Sequence, residues 1–138
     1  MFKKILVPLD LTDKHRPALA IAAELAQQSG GKVTLLHVIE VIPALSRDEE
    51  SVFYNRLERT ARDHLKQNAG TFADHHIPFQ NEILFGNRAQ EIARYAAEAC
   101  ADLIVLTAPR IGPDDPASWG SMSYKVGILA RCPVLLVK

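Results

Sequence analysis

Three short runs in the chain are wholly apolar: Ile5-Leu6-Val7, Leu103-Ile104-Val105-Leu106 and Val134-Leu135-Leu136-Val137. Runs of that length without polar alternation predict strands covered on both faces. Residues 32–38 read as a further strand, and Pro78 opens another that runs to about Phe85. Between these runs the apolar positions change to helical spacing. Ala18, Ile21, Ala22, Leu25 and Ala26 mark one helix, with turn and cap chemistry at residues 10–13 before it and Gly30-Gly31 as its stop. Phe53, Leu57, Ala61 and Leu65 recur every four residues and predict a long helix fading near residues 68–70. A polar loop around Pro43 precedes it, and Asp48, Glu49 and Glu50 favour its start. Asn87 with Gln90 forms a capping box for a helix whose apolar face is Ala89, Ile92, Ala93 and Ala96. Met122, Val126 and Leu129 define one side of the last helix.

Strand and helix therefore alternate through to a closing strand. This order predicts one α/β domain over residues 1–138, a doubly wound parallel sheet with helices on both faces and right-handed crossovers. No linker, low-complexity tract or long repeat interrupts it. In such sheets ligands bind beyond the carboxyl ends of the strands, where the strand order reverses. Asp10, Val38, Gly86 and the stretch 107–121 fall at that edge.

The 138 residues suit a single domain with one ordinary core. Charge changes the picture by exclusion. Lys plus Arg equals Asp plus Glu at 16 each, so no net field draws in nucleic acid or an anionic membrane. No run approaches the roughly 20 apolar residues of a membrane span, and MFKKILVPLD reads as a strand and not as a signal peptide. Cys100 and Cys132 each precede an apolar run and are expected as small buried hydrophobes in a cytoplasmic protein.

Candidate chemistry gathers around TAPRIGPDDPASWGSMS at 107–123. Gly120, Ser121, Met122 and Ser123 fall where a helix starts, and free amides there attract an anion. Ser121 is the leading phosphate contact, although a helix-capping hydroxyl needs the same geometry. Pro109 and Pro113 fix φ and remove amide donors nearby. Asp10 either faces a ligand or caps the next helix; Gly86 admits a close backbone or only makes the turn before Asn87. Pro8 shapes a strand end, and Trp119 covers the domain or a subunit contact. Ser29-Gly30-Gly31 sits on the wrong side of the sheet for a phosphate loop. His75-His76 lacks further ligands for a metal, and His37 reads as a satisfied core histidine. No nucleophile with a base and an orienting group emerges from the chain, so efficient catalysis is not expected.

ILVPLD at 5–10, FGNRAQEIARYAAEACADLIVL at 85–106 and GSMSYKVGILARCPVLLV at 120–137 together resemble the universal stress protein family in order and spacing. The resemblance covers nearly the whole chain except the 41–80 region. It implies the strand order 3-2-1-4-5, a cytoplasmic stress-response homodimer joined through the edge of the fifth strand, and, in one branch, bound ATP or AMP, with Mg as a companion ion. It further implies that Asp10 contacts the ribose or adenine side and that Val38 offers backbone groups to adenine. The nucleotide-binding branch has Gly-x-x-Gly, nine residues, then Gly-Ser or Gly-Thr. Here Thr107 and Arg110 stand at the two glycines and Gly120-Ser121 matches the close. Arg110 is then expected to replace lost backbone contacts by binding phosphate with its forked guanidinium. The second branch, a dimeric interaction module without nucleotide, departs at these same places. Slow ATP hydrolysis or self-phosphorylation is implied only by analogy. A phospho-receiver would need an acidic residue where Phe85-Gly86 stands, and a flavin carrier a Ser/Thr-rich loop where LTDKHRP stands.

Overall fold

The computed structural model describes residues 1–41, 47–108 and 121–138. Five parallel strands lie in the order β3-β2-β1-β4-β5: β1 Lys4–Pro8, β2 Lys32–Ile39, β3 Phe79–Phe85, β4 Leu103–Thr107 and β5 Val134–Val137. The chain leaves β1 toward β2 on one side and reaches β4 on the other, so the order reverses between β1 and β4. Both expectations, the parallel sheet and the 3-2-1-4-5 order, agree with the observed architecture.

Residue alternation sorts the strands between two cores. Ile5, Val7, Val33, Leu35 and Val105 pack under α1 (Arg16–Ser29) and α2 (Arg47–Asp74). Leu6, Leu36, Val38, Ile104 and Leu106 pack under α3 (Arg88–Glu98) and α4 (Met122–Leu129). The period of two along a strand makes one apolar run serve both layers. Asp102 anchors the start of β1, its carboxylate accepting from the amides of Lys3 at 2.8 Å and Lys4 at 3.0 Å.

Local signals act where they were expected. α1 stops at Gly30, whose φ of 69° is the left-handed conformation glycine adopts at little cost, and its amide donates to Ala26 O. The Asn87 side chain accepts from the Gln90 amide at 3.1 Å and starts α3.

Three expectations need correction. α2 does not fade at residues 68–70 but continues to Asp74. Gly70 costs a helix about 1 kcal/mol, whereas full burial of an aromatic such as Phe72 contributes about 1.5–3 kcal/mol. Burial wins, and the face that packs is Tyr54, Ala61, Leu65, Ala69 and Phe72; Phe53 is exposed and Leu57 half-buried. In α4, Ser123 and Val126 are buried but Leu129 faces outward at 48% exposure, because so short a helix covers the sheet with only its first turns. Cys100 is exposed and Cys132 only partly buried. Cys100 follows the last turn of α3 with φ of 55°, where the chain turns out toward solvent before β4.

Candidate functional site

At the carboxyl ends of β1, β2 and β4 the structure opens a cavity of about 430 Å³. Its walls include Pro8, Asp10, Val38, Thr107, Ser121, Met122 and Ser123, seven of the ten residues expected at a site. Gly86 is not among the lining residues; its φ of 145° serves the turn into α3, and an added Cβ would meet Glu91 Cγ at 2.9 Å. Arg110 and Gly120 lie outside the described residues, as do Pro109, Pro113 and Trp119.

The cavity forms at this edge because β1 is followed by α1 on one face of the sheet and β4 by α4 on the other. Leu36, Val38, Ile92 and Leu106 give it an apolar wall. Among the described residues, Lys14, Arg88 and Lys138 stand at the lining beside the carboxylate of Asp10. Lys14 is held by Asp10 Oδ2 at 2.8 Å, and Arg88 stands 3.9 Å from Glu40. An anion with an apolar portion suits such walls.

A chain of three hydrogen-bonded side chains runs along the site. His15, only 6% exposed, sits at the end of a single 3-10 turn at Asp13–His15 that leads into α1. Its Nε2 lies 2.7 Å from Asp10 Oδ1 and its Nδ1 lies 2.8 Å from Thr107 Oγ1. The direction of each bond follows from charge. Burial raises the Asp10 carboxyl, but hydrogen bonds from Lys14, Thr12 and His15 together outweigh it and hold it well below the usual carboxylate range. Asp10 is therefore ionised and accepts, so Nε2–H donates to it. The Asp10 amide N–H also points at Nε2, at 3.1 Å, but a bare Nε2 would meet the ionised carboxylate lone pair to lone pair at 2.7 Å, so the ring proton belongs on Nε2. Burial depresses the His15 ring below its ordinary range, with Asp10 opposing. A neutral ring with its proton on Nε2 leaves Nδ1 bare, and the Thr107 hydroxyl donates to it.

Asp10 does not cap α1, which begins at Arg16 with His15 in the cap position. Its Oδ1 accepts from the Thr12 amide at 2.9 Å and from the Thr12 hydroxyl, bending the chain back toward the cavity. Ser121 caps α4: its hydroxyl accepts from the Tyr124 amide at 3.4 Å and stands 3.0 Å from Ser123 Oγ. His37 is satisfied as expected, its Nδ1–H donating to Leu9 O at 2.8 Å. No group of three metal-ligating side chains occurs among the described residues.

His15, Lys14, Arg88 and Lys138 escaped the reading of the sequence. His15 lies within the polar stretch after β1 that reads as turn and helix start, so no periodicity marks it. The one available signal was an Asp and a His five apart directly after an apolar strand.

A five-stranded parallel sheet in this order, with helices on both faces and a cavity at its switch point, defines the class of small doubly wound α/β domains. Within that class the description of the universal stress protein family matches residues 1–138. A curated relative from Thermus aquaticus, the universal stress protein in QAH/OAS sulfhydrylase 3'region, is 34% identical and covers 100% of both chains. Among solved structures, universal stress protein UspA from Lactobacillus plantarum superposes with a TM-score of 0.82 at 26% identity, covering 99% of this chain and 98% of that one. The universal stress protein from Archaeoglobus fulgidus in complex with dAMP gives 0.75 at 20% identity, covering 100% of each. The chain belongs to the universal stress protein family.

Proposed function

We propose that this protein binds an adenine nucleotide, ATP or AMP, at the carboxyl ends of its strands and acts as a cytoplasmic stress-response sensor or regulator. The observation that carries this reading is the cavity itself. It brings Pro8, Asp10, Val38, Thr107, Ser121, Met122 and Ser123 together with three cations beside an apolar wall. The Archaeoglobus fulgidus relative was crystallised with dAMP, an adenine nucleotide, which supports the ligand class. The base and sugar lie along Leu36, Val38 and Asp10, and the phosphates turn toward Lys14, Lys138 and the start of α4. Arg110 adds a further cation to the phosphates. No resident catalytic activity is part of this reading. Calorimetric titration of ATP and AMP into wild type and Arg110→Ala tests it, with heat expected from wild type and weaker binding in the variant. Absence of heat with both nucleotides overturns it.

One observation favours a second reading, an interaction module of the same fold without nucleotide. Asp10 and Ser121 already spend their side chains on Thr12, His15, Lys14 and the Tyr124 amide. Melting curves that do not move with added ATP or AMP select this reading. Both readings include a homodimer through β5, whose Leu135 and Leu136 are exposed at 38% and 43% beside Ile128 of α4 at 64%. An edge strand with unpaired amides and apolar side chains gains from pairing with its own copy about a twofold axis.

A further inference from the structure

The hydrogen-bond sense of the Thr107 hydroxyl in the cavity wall is set by the His15 ring. Its Oγ1 is 2.8 Å from His15 Nδ1, and both residues line the cavity. With the ring neutral, the hydroxyl hydrogen points at Nδ1 and Thr107 shows an incoming anion only oxygen lone pairs. With a proton on Nδ1 the bond reverses: Nδ1–H donates to Oγ1, and the hydroxyl hydrogen is released toward the cavity. A hydroxyl has one hydrogen and cannot serve both partners.

We propose that Asp10, His15 and Thr107 form a proton-coupled element for recognising phosphate, in which uptake of one proton by His15 turns Thr107 into a hydrogen-bond donor for a bound phosphoryl group. This rests on the nucleotide reading above and adds the residue that tunes it. Asp10 is the positioning group: it fixes the proton on Nε2, so the second proton can enter only at Nδ1, the atom facing Thr107. The groups acting on His15 from the elements around it are Asp10 after β1, Lys14 in its own turn and His64 of α2. Lys14 and His64, when charged, oppose proton uptake; Asp10 favours it. Burial keeps the free ring neutral near pH 7. A bound phosphate adds negative charge beside the ring and an acceptor for the released hydroxyl, and both draw the proton in.

Linkage then fixes the sign. A ligand that binds the protonated form better is bound more tightly as pH falls, by at most about tenfold per pH unit for one proton. The same ligand raises the His15 pKa.

The test follows AMP binding by calorimetry from about pH 5.5 to about pH 8, with proton uptake counted by repeating the titration in buffers of different ionisation enthalpy. The phosphate of AMP itself titrates at about 6, so the readout is the ratio of wild type to Thr107→Val, in which the ligand's own ionisation cancels. That ratio is expected to rise toward acid pH and to return in Thr107→Ser, while Thr107→Val binds with no proton uptake by the protein. A ratio that stays constant with pH overturns the relay and leaves nucleotide binding standing. If neither AMP nor ATP binds, the nucleotide reading falls, and inorganic phosphate becomes the probe, observed on the His15 ring by NMR. A raised His15 pKa at saturating phosphate upholds the relay; an unmoved one overturns it. In the free protein near pH 7.5, nitrogen shifts of the ring must show the proton on Nε2, and an Nδ1–H tautomer overturns the relay without any ligand.

Discussion

His15 Nδ1 and Thr107 Oγ1, 92 positions apart in sequence, meet at 2.8 Å and tie the turn after β1 to the end of β4. The bond spans the point where the strand order reverses, so it ties together the ends of the two strands that border the cavity. Replacing Thr107 by Val keeps shape and removes the hydroxyl, leaving a buried imidazole nitrogen without its donor. The expected loss is about 1–2 kcal/mol of unfolding free energy in urea titrations at pH 7.5. A stability equal to wild type would show that the bond contributes nothing to the fold.

Acid should weaken the protein well before its carboxylates protonate. His15 and His37 are both depressed, chiefly by burial, opposed at His15 by Asp10 and at His37 by the Leu9 carbonyl. Below about pH 6.5 the unfolded chain binds protons at these rings that the folded chain refuses, so stability falls as pH drops. Asp10, depressed in the folded state, contributes stability above about pH 4 that is lost on further acidification. Melting temperature measured from pH 8 downward is expected to decline through the histidine range, and less steeply in His37→Gln. A flat profile there counts against both buried rings.

The face of α2 gives a sharp contrast. Phe72 is fully buried and Phe53 is 36% exposed. Phe72→Ala is expected to cost about 3–5 kcal/mol, and Phe53→Ala about 1 kcal/mol or less. Equal losses in chemical denaturation would mean that the helix is rotated from the orientation described.

Two glycines should respond with opposite sign. A Cβ on Gly31 would lie 2.6 Å from Phe2 O and 2.9 Å from Lys3 Cα and Lys3 O, all backbone, whereas one on Gly70 meets nothing within 4 Å. Gly31→Ala is expected to destabilise by about 1–3 kcal/mol, while Gly70→Ala, inside α2, should stabilise by about 0.5–1 kcal/mol. Differential scanning calorimetry of the two variants decides both.

Leu136→Asp places a charge on the exposed side of β5 and should yield a monomer by sedimentation at tens of micromolar protein, with wild type dimeric. A monomeric wild type removes the β5 pairing.

The strands were legible because each is a run of apolar residues too short for a helix and bounded by breakers, and Gly30 and Asn87 act within a few residues of themselves. α2 was misread because its pattern weakens near Gly70. Its true end is set by Phe72 and by Ile77, whose amide returns to Phe72 O at 2.9 Å, contacts in which the sheet takes part. Seven cavity residues are legible in the sequence because they sit at strand ends or a helix start, places a linear pattern marks.

Sequence alone determined the alternation of strand and helix, the caps at Gly30, Asn87 and Ser121 and the edge at which the cavity opens. All of these follow from short-range periodicity and from single residues acting on their neighbours. Tertiary structure alone decided which cations face the cavity, which side of α2 is covered, and that a histidine in a polar turn stands hydrogen-bonded between Asp10 and Thr107. Those depend on distances across the sheet, which no spacing along the chain encodes.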